Sequence, residues 1–447
     1  MKATTTVSRL FLSRLFATRQ AWSLPVAAFA VVSTLALSVA GGIHFFFTLN
    51  KQSVDEIAGI YMILAILAGI LLIMPIASLA GAAAKLLARR RDERLSSLRL
   101  LGASSALLRT LAVTEASVLA AVGSLLGVLG YLVLMPVAGL LHFAGGPIGT
   151  SGMWLGAPGI LAVLATIIGI GVVSSFTGLR SIEITPLGVR TRQRPARLHW
   201  LRIVAAVALL VVAQLFANIY GAGGIMLAVV MVLAAFAVPM LALHFIGPWL
   251  IAAVTRWRLR RAKTAQSLVA ARAVLESPQQ AWAQIGGVTL TTYIGVVAGA
   301  GVSLANMGMD DAAASMTNAE INLLTDLRTG VLLTMVIAFL LSACSVAITQ
   351  TAQVIDRGAL YNGLRRIGMS FTQLQATRRG AVFGPLWIVL IFTLLTAVIT
   401  AFPLLGIAVV ASPLSMLVIS GCCVLGVLLI WGGVQSSVPT LRSVTAD

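Results

Sequence analysis

Long apolar stretches alternate with short polar segments along almost the whole chain. A helix needs about 20 apolar residues to cross the hydrocarbon core of a membrane. Ten stretches reach that length, near residues 23–48, 58–85, 110–142, 157–179, 201–219, 224–253, 283–306, 329–352, 380–405 and 412–434. The pattern predicts an all-α polytopic membrane protein with about ten transmembrane helices.

Composition and charge agree with this prediction. The 447 residues are 59% hydrophobic and 10% charged, which excludes a soluble globule and a disordered chain. The net charge of +18 is a topology signal, because Lys and Arg collect in cytoplasmic loops. With a cytoplasmic N-terminus, all but Lys51 and Arg328 of the 31 basic residues fall inside. We therefore expect no nucleic-acid partner.

The location follows from the same features. An even number of spans places both termini on the cytoplasmic side. The excess of Arg over Lys and the Ala-rich spans are typical of a GC-rich bacterial genome. We expect a multi-pass protein of the bacterial cytoplasmic membrane, in contact with the lipid bilayer.

Two short motifs recur at nearly equal offsets. Gln-Ala-Trp stands at 20–22 and at 280–282, before spans one and seven. A Leu-Arg-x-x-Gly-x-Ser pattern stands at 98–104 and at 364–370, after spans two and eight. The offsets predict two parallel four-helix repeats joined by two extra helices.

The repeat predicts a domain organisation. It comprises an N-terminal interfacial helix (1–22), a first four-span repeat (23–180), a linker with spans five and six (181–255), a basic interfacial helix (256–282) and a second four-span repeat (283–447).

The segment after span two has the pattern of a short amphipathic helix. Leu95, Leu98 and Leu101 recur every three residues, and Gly102 is placed to end the helix, with Ser104 opening the turn into span three. A basic flank that touches anionic lipid is one interpretation. Recurrence of the pattern around Gly368 favours another, in which a second protein docks at two equivalent points.

Segment 90–130 resembles the permease domain of FtsX-like (MacB-type) ABC transporters. The resemblance is carried by the run Arg99-Leu100-Leu101-Gly102-Ala103-Ser104, by Glu115, and by Gly123 to Gly127. It covers 58–180 well and 329–434 more weakly. The ten-span layout is similar to single-chain permeases associated with peptide-antibiotic resistance, which pair one permease with two ATPase subunits.

The resemblance implies where those two ABC ATPase subunits dock on the cytoplasmic side. The implied coupling residues are Arg94, Leu98, Arg99, Leu101, Gly102, Leu364, Arg365, Ile367 and Gly368. The second copy departs from the pattern, with Ala381 in place of the acid and Arg378 and Arg379 beside it. The longest outside loop, 307–328, is also too short for the large external domain that family members often carry.

The chain lacks the elements of an ATPase. A P-loop needs Gly-Lys-Ser/Thr, and none of the four lysines follows a glycine. ATP and Mg²⁺ would therefore be bound by a separate subunit, and we expect no cofactor and no catalytic residue in this chain. Its four histidines are scattered singly, so no metal site is predicted either.

Two further features concern span three. Glu115 lies about one turn inside it, where it could pair with Arg99 or Arg109 at the interface or take part in coupling. Gly123 and Gly127 give the span a small face suited to close helix packing.

Three functions fit these observations. The first is the permease subunit of an ABC transporter that exports or extracts a lipophilic or peptide substrate. The second is an FtsX-type signalling or mechanotransmission protein that regulates an extracellular partner. The third is a secondary transporter, which the parallel repeat and the absence of mid-span carboxylates disfavour.

Overall fold

The structure, a computed structural model, describes residues 19–52, 56–100, 104–179, 224–312, 317–405 and 413–438. Within these ranges nine helices are long and apolar enough to cross a membrane. The all-α polytopic membrane fold is therefore confirmed. The predicted fifth span, 201–219, lies outside the described residues.

In chain order the elements are α1 (Arg19–Gln52), α2 (Glu56–Leu100), α3 (Ser105–Gly139), β1 (His142–Phe143), β2 (Gly146–Pro147), α4 (Gly149–Met153), α5 (Gly156–Leu179), α6 (Gly224–Arg260), α7 (Ala265–Glu276), α8 (Pro278–Ala312), α9 (Asn318–Asp356), α10 (Gly358–Arg366), α11 (Phe371–Leu405) and α12 (Pro413–Ser436). Of these helices, α4, α7 and α10 are too short to span.

The chain divides into two compact units. The first lies within Met1–Phe45, Ile76–Leu141 and Pro147–Arg194, and the second within Phe46–Pro75, His142–Gly146 and Pro195–Asp447. Helices α1 and α2 each contribute residues to both units, so the division does not fall between spans.

The first unit is built on α3, which packs against α5 and α1. Its core includes Leu37, Tyr131 and Leu164, all buried. The Tyr131 hydroxyl donates to the Met153 carbonyl oxygen and accepts from the Leu155 amide at 3.3 Å. A buried phenol therefore satisfies backbone groups of the turn after α4.

Helix α8 is the centre of the second unit. It packs against α6, α9, α11 and α12, and every residue from 284 to 300 is buried. Its buried threonine hydroxyls bond to carbonyls one turn earlier, as Thr289 does to Ile285 at 2.9 Å. The Trp282 ring lies directly against Gly247 of α6, where a Cβ atom would not fit. Because its polar side chains are bonded and it faces other helices rather than lipid, α8 can be less apolar than its neighbours.

A small polar cluster lies beside the hairpin β1–β2 in the second unit. The hairpin β1–β2 turns at Ala144 (φ 54°) and Gly145 (φ 79°). Asp326 of α9, only 7% exposed, accepts hydrogen bonds from the Tyr61 hydroxyl and the Ala144 amide, each at 2.6 Å. The buried carboxylate thereby fixes a turn that places a non-glycine residue at positive φ.

The structure corrects the prediction of a separate amphipathic helix after span two. Helix α2 runs without interruption from Glu56 to Leu100, so the span and the amphipathic segment are one helix of 45 residues. In the predicted second repeat the corresponding segment is separate, because the chain breaks at Arg357 between α9 and α10. Of the predicted interfacial helix 1–22, residues 1–18 lie outside the description.

Two other boundaries also differ from the prediction. The basic segment 256–282 is not one helix: α6 continues to Arg260, a turn follows, and α7 and α8 are separated at Ser277. The predicted outside loop 307–328 is largely helical, since α8 extends to Ala312 and α9 begins at Asn318. A capping box starts α9, where the Thr317 amide donates to Glu320 at 2.8 Å.

Candidate functional site

Positive charge is concentrated at one end of the second unit, where α6 and α9 end and α8 and α11 begin; we call this the basic end. Its described basic residues are Arg256, Arg258, Arg260, Arg261, Lys263, Arg272, Arg357, Arg365, Arg366, Arg378 and Arg379. Lys51 and Arg328 lie toward the other end. This is the distribution expected if the basic end faces the cytoplasm.

Helix α10 is the most exposed element of the basic end. It places Arg365 and Arg366 in solvent, and two apolar side chains are also exposed: Leu360 at 48% and Ile367 at 82%. Leu364, one turn before Gly368, is half-buried. An exposed apolar face rimmed by charge is typical of a surface that binds another molecule.

The sequence ends α10 with a defined cap. Gly368 has φ 96°, a conformation that disfavours residues with a side chain. The Gly368 amide donates to the Arg365 carbonyl at 3.0 Å, and the Met369 amide donates to the Leu364 carbonyl at 3.1 Å. These two bonds form a Schellman motif, so Gly368 fixes both the end of α10 and the exposed position of Ile367.

The chain then enters α11 through a second cap. The Ser370 hydroxyl accepts from the Gln373 amide at 3.3 Å, and the Gln373 side chain accepts from the Ser370 amide at 3.0 Å. In the predicted first repeat, the Ser104 hydroxyl likewise accepts from the backbone amide three residues on, that of Leu107, at 3.3 Å. A rigid connection thus joins α10 to a spanning helix.

Near α10, side chains of three helices and of the residue after a fourth form a hydrogen-bonded cluster, which we call the polar node. Its members are Gln284 of α8, Gln350 and Gln353 of α9, Arg378 of α11 and Ser437 after α12. Gln350 donates to Gln284 at 3.0 Å, and Gln284 donates to Gln353. Arg378 donates to Gln350 at 3.3 Å and to the Ser437 hydroxyl.

Arg378 is the charged residue of the polar node. Its side chain is 7% exposed, and the hydrogen-bond acceptors described for it, Gln350 and Ser437, are both neutral. Removing a charge from water is costly, so these neutral oxygens must supply the solvation that water would otherwise give. The node is consequently sensitive to small displacements of α9, α11 or α12.

Helix α10 follows directly on the end of α9 that carries Gln353 of the polar node. Arg357, the residue before α10, donates to the Ala273 carbonyl of α7 at 3.2 Å. Gln353, one turn earlier, donates to the Gln280 carbonyl at the start of α8 at 3.2 Å. A cavity of about 40 Å³ lies between α10 and the node, lined by Leu364 and Tyr361 of α10 and by Arg378. A movement of α10 would therefore act on the node through the end of α9, where Gln353 bonds to α8.

The structure brings together the coupling residues predicted in the second repeat. Leu364, Arg365, Ile367 and Gly368 all belong to α10 or its cap. Of the residues predicted in the first repeat, Arg94, Leu98 and Arg99 lie in the last turns of α2, and nothing is described of their side chains. Leu101 and Gly102 lie wholly outside the described residues.

The predicted features of span three occupy α3. Gly123 and Gly127 lie against α1, where a Cβ on Gly123 would be 2.8 Å from the Val26 carbonyl oxygen. Glu115 is buried at 8% exposure. Its suggested pairing with Arg99 or Arg109 concerns side chains outside the description.

The polar node is not predicted by the sequence pattern. In that pattern Arg378 is only a departure at the entrance of span nine, and the glutamines have no predicted role. A signal was present, since Gln280 and Gln284 are spaced i,i+4 and Gln350 and Gln353 i,i+3 in otherwise apolar spans. Such spacings place amides on one helix face. Which side chains they meet depends on helix packing.

Comparison with protein-family models and with curated protein sequences finds no match to this chain. Its functional assignment therefore depends on its own residues and geometry.

Proposed function

We propose that this chain is the membrane permease subunit of an ABC transporter, in which two separate ATPase subunits drive export or extraction of a lipophilic or peptide substrate. The observation that carries the proposal is α10, a short, rigidly capped and basic helix with exposed apolar residues. The end of α2 is the proposed second docking point.

Exposure of α10 supports docking of a protein. Leu360 and Ile367 expose apolar surface that a partner would remove from water, and Arg365 and Arg366 supply charge at the rim. Buried apolar contacts surrounded by polar groups are the usual anatomy of an interface. The Schellman cap fixes the helix end, so little conformational entropy is lost on binding.

Connection of α10 to the polar node supports transmission of force. ATP binding would draw the ATPase subunits together and displace α10. Because Gln353 and Arg378 join α8, α9, α11 and the end of α12, the spanning helices would follow that displacement. The proposal requires no acid at the centre of a span, in contrast to ion-driven transport.

Ile367→Asp and Leu360→Asp are expected to abolish ATPase association. Each places a charge in the proposed apolar contact, which would weaken binding by about 3 kcal/mol, a loss of about a hundredfold. The tagged chain is purified from membranes of its native host. Polypeptides with an ATP-binding cassette are then identified by mass spectrometry, and ATP hydrolysis is measured in the same eluate.

Leu268→Asp is the matched control. Leu268 is 48% exposed, as is Leu360, and also lies at the basic end, but on α7. The control should retain both the ATPase and its activity. Docking on α10 would be refuted if all three variants kept the ATPase or all three lost it. The class itself would be refuted if the unmodified chain carried no ATP-binding-cassette polypeptide.

A further inference from the structure

A separate cavity opens at the basic end between α6, α7 and α11. Its volume is about 440 Å³, within the usual range of small-ligand sites. One wall is apolar, formed by Val274, Ala376 and Pro385. Two arginines, Arg258 and Arg261, and no carboxylate belong to its described lining.

Thr255 gives this cavity an unsatisfied polar group. Its side chain lines the cavity and is only 3% exposed. Among the described residues its hydroxyl has no hydrogen-bond partner. Buried hydroxyls in proteins are normally bonded, as the Tyr293 hydroxyl is to the Phe236 carbonyl of α6 at 3.1 Å. A ligand with an acceptor oxygen would supply the missing partner.

The charges around Thr255 specify an anion. The Arg261 guanidinium lies 4.1 Å from the centre of the Trp257 ring, which holds it at the cavity. The N-terminus of α7, a helix of 12 residues, also lines the cavity, with its cap residue Thr264 and with Ser267. A helix N-terminus carries a partial positive charge and favours phosphate oxygens.

Arg258 lines the cavity, and its guanidinium also lies against Gly384 of α11. A Cβ atom at position 384 would lie 2.6 Å from the Arg258 Cζ atom, so only glycine lets the guanidinium rest against α11. The neighbouring arginines of the same helix end, Arg256 and Arg260, do not line the cavity.

We propose that the cavity binds a phosphate group through Arg258, Arg261 and Thr255, and that the headgroup of an anionic phospholipid supplies this phosphate. Trp257, 52% exposed, stands at the end of the candidate span Leu233–Arg260, where tryptophans mark the membrane interface. Acyl chains can leave along the apolar wall at Pro385 while the headgroup stays among the arginines. The site is independent of the proposed ATP-driven function.

The test measures lipid binding to the full chain in an uncharged maltoside detergent. Native mass spectrometry follows titration with dioleoylphosphatidylglycerol, with dioleoylphosphatidylcholine, or with millimolar inorganic phosphate. We expect the anionic lipid to bind about tenfold more tightly than the zwitterionic one. Inorganic phosphate is expected neither to bind nor to displace the lipid, because it lacks the apolar contacts.

Four variants distinguish a specific lipid site from non-specific electrostatic attraction of the anionic lipid to basic residues. Arg258→Ala should weaken binding of the anionic lipid about tenfold, through loss of a charge-assisted hydrogen bond. Gly384→Ala should weaken it about fivefold at unchanged net charge, since the methyl group displaces Arg258. Thr255→Val should weaken it about threefold without lowering the melting temperature.

Arg260→Ala is the control, because it removes the same charge from the same helix end outside the cavity. It should change lipid affinity by less than about twofold. Equal losses for Arg258→Ala and Arg260→Ala would overturn the site. Displacement of the lipid by inorganic phosphate would overturn the lipid headgroup as its occupant.

Discussion

Gln350→Leu is expected to lower the free energy of unfolding by about 3 kcal/mol. Gln350 accepts a hydrogen bond from the buried Arg378 and donates one to Gln284 at 3.0 Å. Leucine fills the same space but leaves a buried cation with Ser437 as its remaining described acceptor. An under-solvated buried charge is among the most costly defects in a protein interior. The measurement is denaturation by SDS titration in mixed micelles.

Gln435→Leu provides a closely matched control. Gln435 also accepts a hydrogen bond from an arginine, Arg379, at the same distance of 3.3 Å, but that arginine is exposed. Water can replace the lost acceptor, so the expected cost is under about 1 kcal/mol. Equal costs for the two leucine variants would contradict the account of the polar node.

A double variant distinguishes the lost charge solvation from other effects of leucine. Arg378→Met removes the buried cation, so Gln350→Leu should cost about 1 kcal/mol in that background, because only the bond to Gln284 is then lost. If Gln350→Leu lowered the free energy of unfolding as much in the Arg378→Met chain as in the unmodified chain, solvation of Arg378 would not explain its cost.

Gly127→Ala is expected to cost about 2 kcal/mol in unfolding free energy. A Cβ at this position would be 2.8 Å from the Ala30 carbonyl oxygen and 3.1 Å from the Thr34 amide nitrogen, both backbone atoms of α1. Backbone cannot rotate away, so α1 and α3 would have to separate. Separation would also stretch the Thr34 bond to the Gly127 carbonyl, now 3.0 Å, and the Ser33–Ser124 bond, now 3.1 Å.

Gly169→Ala is the control for the general effect of alanine in a spanning helix. Nothing described lies within 4 Å of a Cβ at position 169 of α5. The variant should be neutral or stabilising by up to about 1 kcal/mol, since alanine favours helix more than glycine. SDS titration again supplies the comparison. A Gly127→Ala variant as stable as Gly169→Ala would mean that α1 and α3 are not in close contact.

Much of the fold could be predicted from the sequence, because the bilayer imposes a simple rule. Backbone groups in hydrocarbon must bond within their own segment, so apolar runs of sufficient length become helices. Small faces such as Gly123 and Gly127 are also visible in the pattern, since glycines four residues apart share one helix side. Ser104 could be predicted as the start of α3 from its local capping chemistry.

Helix ends and polar contacts could be predicted less well from the sequence. The chain breaks at Arg357 but not at the related point of α2, although the local sequences are similar. The polar node was missed because a lone amide in an apolar span has several possible partners, and helix packing selects among them. The cavity at Thr255 depends on contact between α7 and α11, which are separated by about a hundred residues in sequence, a range at which local patterns predict nothing.

The mass of the intact complex tests the central proposal most directly. The chain, tagged at low copy in its native host, is extracted in mild detergent and measured by native mass spectrometry. The account predicts one copy of this chain with two copies of an ATP-binding-cassette ATPase, and transport into proteoliposomes that ceases without ATP. A chain that purifies alone and still carries substrate after removal of ATP would contradict it.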